Sequence, residues 1–114
     1  MGASLDRANA IVGVLEAAGV RATTDPSAVN PPCVLVLPPD RRYDVGCGWT
    51  AAWTLVALAP AAQGADHTTW GLLEGLVDGA AGAVGLDVLD AGLAVYTLNG
   101  VTYPSYLIHV EELL

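Results

Sequence analysis

The chain contains no lysine and no phenylalanine, and charged residues of any kind are scarce. Its 114 residues include twelve carboxylates against four arginines, which gives a formal net charge of −8. Charged residues make up 14% of the chain, whereas about 25% is usual in a soluble domain. Such an acidic surface repels phosphate backbones, which argues against sequence-independent binding of nucleic acid. The shortage of charge also leaves more apolar surface than a small monomer hides, so we expect burial against partners.

Cysteine is nearly absent as well. Cys33 and Cys47 are the only two, and they do not form the C-x-x-C pattern of a metal or redox site. We interpret both as buried free thiols. A zinc site made from these cysteines with His67 and His109 would need four scattered ligands without the local pairing typical of structural zinc. The sequence therefore predicts no metal and no cofactor.

Long uninterrupted apolar runs are missing too. Residues 45–65 carry no charge, but glycine, proline and glutamine interrupt them, so no membrane span is predicted. No glycine-rich loop joins a strand to a helix as a phosphate site requires. Asp66, His67, Thr68 and Thr69 combine an acid, a base and hydroxyls, but a helix start with Asp66 as the N-cap explains them better than a catalytic relay. We therefore expect no enzymatic activity.

The patterns that are present predict a single α+β domain over residues 1–114. Apolar residues at helical spacing predict two helices, and alternating or β-branched runs predict strands. The Asn99-Gly100 pair is a strong two-residue hairpin signal. In chain order, the expected elements are a helix at 4–18, extended chain at 20–23, strands at 33–37 and 49–59, a helix at 67–81, and strands at 86–98 and 101–112. This order indicates a largely antiparallel, mixed β-sheet with two main helices packed on it and a C-terminal β-hairpin.

Proline pairs bracket the short strand at 33–37. Proline removes a backbone donor and is tolerated at the ends of a strand, so Pro31-Pro32 and Pro38-Pro39 fix where pairing starts and stops. The polar stretch 38–44 that follows is expected to be a loop. The loops at 24–32 and 38–48 are rich enough in polar residues and proline to become ordered only on assembly.

The second helix has two distinct faces. Its core-facing residues are expected to be Trp70, Leu73, Leu76, Val77 and Ala80. Glycine recurs every four residues away from them, and each such glycine costs about 0.5–1 kcal/mol relative to alanine in a helix interior. Two explanations stay open: close approach of a neighbouring chain, or compositional drift that the helix tolerates. The glycines concerned are Gly71, Gly75 and Gly79.

The order of these signals resembles the tail-terminator proteins of long-tailed, siphovirus-type bacteriophages, in particular those of actinobacterial hosts. The resemblance covers nearly the whole chain and rests on length, element order and the Asn-Pro-Pro-x-Val-x-Val-x-Pro character of residues 30–38. The segments that carry it are TTDPSAVNPPCVLVLPP, WTAAWTLVALAP, DHTTWGLLEGL and YTLNGVTYPSYLIHVEEL. This family has no catalytic signature, so the resemblance transfers architecture and role but no individual site residue.

The resemblance implies a structural virion protein at the head–tail junction, assembled in the host cytoplasm. Such a protein forms a hexameric ring that caps the tail tube, ends tube polymerisation and offers a docking surface to the head connector. Its expected partners are further copies of itself, the tail-tube protein and the head–tail connector or stopper, and DNA passes through the ring without specific binding.

The alternatives are another connector, stopper or minor tail protein, and a ligand- or peptide-binding module whose pocket is lined by Trp49 and Trp53. In the leading interpretation, the arginine-bearing loop projects towards an acidic partner ring or a neighbouring subunit. The residues expected at such an interface are Arg41, Arg42, Tyr43, Gly71, Gly75 and Gly79.

Overall fold

The computed structural model describes residues 3–43, 49–60, 67–83 and 87–113. Two α-helices lie against a six-stranded, mostly antiparallel sheet that ends in a hairpin, so the predicted α+β fold is confirmed. The elements are α1 (Ala3–Ala17), β1 (Ala22–Thr23), a 3-10 turn (Pro26–Ala28), β2 (Cys33–Val36), β3 (Asp40–Tyr43), β4 (Trp49–Leu58), α2 (His67–Ala81), β5 (Val88–Leu98) and β6 (Val101–Leu113).

The sheet has different strands at its two sides. The strand order is β1-β2-β4-β6-β5, and β3 pairs with β4 next to β2. The β1–β2 pair is parallel, and the other described pairs are antiparallel. The sheet therefore ends at β5 on one side, and at β1 and β3 on the other.

Pro38 and Pro39 interrupt what is otherwise one long partner strand of β4. Val36 at the end of β2 pairs with Leu55, and Asp40 at the start of β3 pairs with Ala52. The chain thus uses one residue more than β4 to cross the break, as in a β-bulge. The prolines flank β2 as predicted.

The expectation of a polar loop is wrong where the chain forms β3. β4 has ten residues and β2 only four. If β2 were the only strand on this edge of β4, the backbone groups of the first half of β4 would have no partner there. Asp40–Tyr43 takes up the pairing with Trp49–Ala52. The polar side chains did not prevent this, because an exposed edge strand tolerates and even favours charge.

The main hydrophobic core lies between the helices and one face of the sheet, which we call the helix face. Residues that pair directly across strands point to the same face. The buried side chains here include Ile11 and Leu15 of α1, Leu73 and Ala80 of α2, Val34 of β2, Trp53 and Leu55 of β4, and Ile108 of β6. Both helices therefore pack on the same side of the sheet.

A smaller cluster lies on the opposite face, which carries no described helix and which we call the bare face. Its buried members are Cys33, Leu35, Val56 and Leu58. Val29, Leu37, Tyr96, Tyr103 and Leu107 pack around them. β4 is therefore buried on both faces over its second half, and Tyr96 and Tyr103 of the hairpin take part in strand packing.

The buried line of α2 differs from the prediction by one position. Trp70 was expected in the core but is 57% exposed, whereas Thr69 is buried together with Leu73 and Ala80. Helical periodicity alone allows a buried stripe that begins at Thr69 or one that begins at Trp70, because adjacent positions on a helix are only 100° apart. The tryptophan is large enough to extend over the helix edge towards the hairpin, and this exposed position matters for the interface described below.

One ionic contact ties α1 to the last strand. The Arg7 side chain donates from Nε to Glu112 Oε1 at 2.8 Å and from Nη2 to Glu112 Oε2 at 2.9 Å. The indole nitrogen of Trp53 donates to Glu112 Oε1 at 2.9 Å. The bonds from Arg7 to Glu112 raise the pKa of the Arg7 guanidinium above its ordinary value. Bidentate geometry with a second donor makes this half-buried carboxylate an anchor for the helix.

Candidate subunit interface

The three predicted residues on β3 lie at an open side of the sheet. Arg41 and Tyr43 point to the helix face and Arg42 to the bare face. The Arg41 guanidinium lies 4.2 Å from the centroid of the Trp49 ring and donates to the Tyr43 hydroxyl at 3.2 Å. Arg42 Nη2 lies 3.0 Å from Glu111 Oε2, and this pair is exposed, so it contributes only about 0–1 kcal/mol. The structure brings these residues together on one edge strand.

The three predicted glycines do not share one environment. Nothing lies within 4 Å of where a Cβ would be at Gly71 or Gly75, so both face open space. At Gly79 a Cβ would collide with Cγ2 of Val20, a buried residue that follows α1. Gly79 is therefore explained by packing inside the chain. A subunit contact at Gly71 and Gly75 stays a prediction.

An apolar groove that the sequence did not reveal lies on the helix face between α2 and the hairpin. Its volume is about 240 Å³, and it is lined by Thr69, Trp70, Leu73, Leu93, Pro104 and Tyr106. Leu93 is 74% exposed and Val95 is 73% exposed. Both belong to the helix face of β5, because they pair with Tyr106 and Pro104. α2 leaves this part of the face uncovered.

The strand beside this groove is itself open. β5 has eleven residues, and no described strand pairs with its outer edge. At the hairpin tip, the first three residues of β6 pair with β5 alone among the described strands, because β4 ends opposite Ser105 and Ala59 N donates to Pro104 O at 3.0 Å. A long edge strand with exposed apolar side chains is a template for pairing with another chain.

The two open sides of the sheet have opposite charge. β5 begins next to Asp87 and contains Asp90, whose Oδ1 lies 2.5 Å from Nδ1 of His109 on the bare face. β3 carries Arg41 and Arg42, half of the arginines in the chain. His109 is itself exposed.

Possible metal ligands do not cluster in the part of the chain that the structure describes. Among the described residues, no group of three or more His, Cys, Asp or Glu side chains is placed to hold a metal ion. Cys33 is buried as predicted, and this burial raises the pKa of its thiol. Cys47 and the predicted helix cap Asp66 lie outside the described residues. No helix in the described ranges has the length and apolar character needed to cross a membrane.

Comparison with protein-family models, curated proteins and solved structures finds no match to this chain. The interface must therefore be judged from its own geometry. The sequence singled out Arg41 and Arg42 but placed them in a loop instead of an edge strand. The groove was missed, although the exposed pattern Leu93-x-Val95 on a terminal strand was a usable signal. The groove depends on the distance between α2 and β5, which the sequence alone does not predict.

Proposed function

We propose that this protein is a structural virion protein of the tail-terminator type. It forms a ring that caps the tail tube, ends tube polymerisation and provides the docking surface for the head connector. The observation that best supports this role is the pair of open sheet sides, one basic and one acidic with an apolar groove beside it. The sequence resemblance supplies the viral context.

A ring subunit needs two different contact surfaces. Head-to-tail contacts between unlike surfaces generate a closed ring when the rotation closes, whereas identical surfaces give a two-fold dimer. In this chain β3 and β5 lie on opposite sides of the same sheet, so one copy offers one surface to each neighbour. Among the residues that the structure describes, the large apolar side chains left exposed are Leu5, Tyr43, Trp70, Leu72, Leu89, Leu93, Val95 and Val101. Neighbouring subunits and stacked rings would bury such side chains.

The charge of the chain suits a ring through which DNA passes. With a net charge of −8, the protein repels phosphate rather than binding it. On the bare face, Asp90 and Glu111 are exposed beside Arg42 and His109. A wall of this kind lets DNA slide without adhering, which is the expected behaviour of a tail channel.

A ligand-binding module is the weaker candidate. Its pocket was expected to be lined by Trp49 and Trp53, but Trp53 is only 1% exposed and its indole nitrogen is bonded to Glu112. Trp49 is half-buried beneath Arg41. These two residues therefore serve packing, and the remaining alternative is another connector, stopper or minor tail protein.

Deleting the gene from the phage that encodes it tests the proposed role. Electron microscopy of the deletion lysate should show tails of uncontrolled length that fail to join filled heads, and expression of the wild-type chain from a plasmid should restore normal virions. Tails of normal length that fail to join heads would favour the connector alternative. Normal tails joined to filled heads in the uncomplemented lysate would contradict both.

A further inference from the structure

We propose that the groove beside β5 receives Tyr43 on strand β3 of a second copy, so that the sheet continues from one subunit into the next. From the proposed function this inference takes only head-to-tail assembly. What is new is the identity of the two surfaces that meet and of the side chain that fills the groove.

Backbone pairing supplies the first argument. The outer edges of β3 and β5 are unpaired by any described strand. Proteins usually protect a long edge with charge, proline or a bulge. β5 has a bulge near its start, between Val88 and Asp90, but its central residues 91–95 carry no charge and no proline. This stretch is long enough to pair with all four residues of β3.

The second argument is that the side chains match when the helix faces of both copies lie on the same side. Tyr43 then lies on the face that carries Leu93 and Val95, with its ring directed towards Trp70 at the groove wall. A cavity of about 150 Å³ is enough to hold benzene, and the groove measures about 240 Å³. The Tyr43 ring lies 6.4 Å from the Trp49 ring, and its hydroxyl accepts from Arg41, yet Tyr43 is 66% exposed in the single chain, so most of its surface remains to be buried.

Charge selects β3 rather than a second β5 as the occupant. Asp87 and Asp90 make the start of β5 acidic, and the chain as a whole is acidic, so joining two β5 edges would bring like charges into one contact. β3 instead brings Arg41 and Arg42 against a single acid, Asp40, so its net charge is positive. Arg42 is bonded to Glu111 only through an exposed ion pair, which exchanges partners at little cost.

Cysteine cross-linking tests this contact directly. In a Cys47→Ser background, with buried Cys33 retained, one preparation carries Tyr43→Cys and another carries Leu93→Cys. The two are mixed under mild oxidation and analysed by non-reducing electrophoresis. Both positions are exposed in the single chain, so the substitutions should leave the fold intact, which circular dichroism checks. Ala17→Cys mixed with Leu93→Cys is the matched control, because Ala17 is exposed at the far end of α1.

The mixture of Tyr43→Cys and Leu93→Cys should cross-link roughly 100-fold faster than the control when each chain is at about 10 µM, because thiols held together have an effective concentration of about 1 mM. A chain carrying both substitutions should give a ladder that stops at the ring size. Efficient self-linking of Leu93→Cys with no mixed product would overturn the inference in favour of a β5–β5 dimer.

The wild-type chain, analysed by native mass spectrometry, separates this inference from the proposed function. Rings without the mixed cross-link would overturn the inference and leave the proposed function standing. A wild-type chain that stays monomeric both alone and with the tail-tube protein, together with absence of the mixed cross-link, would contradict both.

Discussion

Two glycines on the same helix should respond in opposite directions to the same substitution. Gly75 and Gly79 are one helical turn apart on α2. A Cβ at Gly75 meets open space, whereas a Cβ at Gly79 collides with Cγ2 of Val20. Val20 is buried and β-branched, so it cannot rotate away freely. Gly75→Ala should therefore stabilise the folded chain, and Gly79→Ala should destabilise it.

The magnitudes follow from general costs. Replacing a helical glycine by alanine gains about 0.5–1 kcal/mol in the free energy of unfolding, which at this chain length corresponds to a rise in Tm of about 2–4 °C. Overpacking a core contact costs about 1–3 kcal/mol. For Gly79→Ala the collision outweighs the helix gain, so we expect a net loss of about 1 kcal/mol and a fall in Tm of about 4 °C.

Urea unfolding followed by circular dichroism, at concentrations where the chain is dissociated, measures both effects. Adding Val20→Ala provides the internal control, because removing Cγ2 should make Gly79→Ala stabilising in that background. Equal stabilisation by Gly75→Ala and Gly79→Ala in the wild-type background would refute the packing explanation of Gly79.

Gly75→Leu then tests the interface separately: it should leave the monomer folded and lower the oligomer mass if this helix surface meets another subunit.

Three further predictions concern single contacts. Glu112→Gln should lower the free energy of unfolding by about 1.5–3 kcal/mol, because it removes the charge bonded to Arg7. Glu111→Gln is the control: it changes an exposed pair and should cost less than about 1 kcal/mol. Equal losses for the two variants in urea titrations would contradict the role of Glu112 in holding α1 to β6. In a Cys47→Ser background, Cys33 should react slowly with a thiol reagent at pH 8 and fast in urea, because burial raises the pKa of its thiol; rapid labelling of the folded chain would be contrary evidence. Reversing Arg41 and Arg42 to Glu should weaken assembly, measured by light scattering, and an unchanged oligomer would remove the role of the basic edge.

Local signals were sufficient for most of the fold. The bounds predicted for α2 are those observed, and α1 is shifted by one residue. The hairpin turn is confirmed at Asn99 and Gly100, which adopt φ angles of 53° and 79°. Such positive values are what a tight two-residue hairpin turn requires and what asparagine and glycine tolerate. These features depend on residues that are close together in sequence, so local patterns are sufficient to predict them.

The features that failed or were missed depend on residues distant in sequence. β3 forms because β4 is longer than β2, the burial of Thr69 in place of Trp70 depends on where the sheet lies, and Gly79 is explained by contact with Val20. The groove likewise exists only because α2 does not reach across β5. No periodicity within one segment contains such information.

The central claim is that the surface left exposed by this fold serves assembly into a ring. Native mass spectrometry of the purified 11.6 kDa chain, alone and with the tail-tube protein that the proposed function implies as its partner, tests it most directly. The account predicts one discrete closed oligomer, a hexamer. A monomer at every concentration, with and without the tube protein, would contradict it.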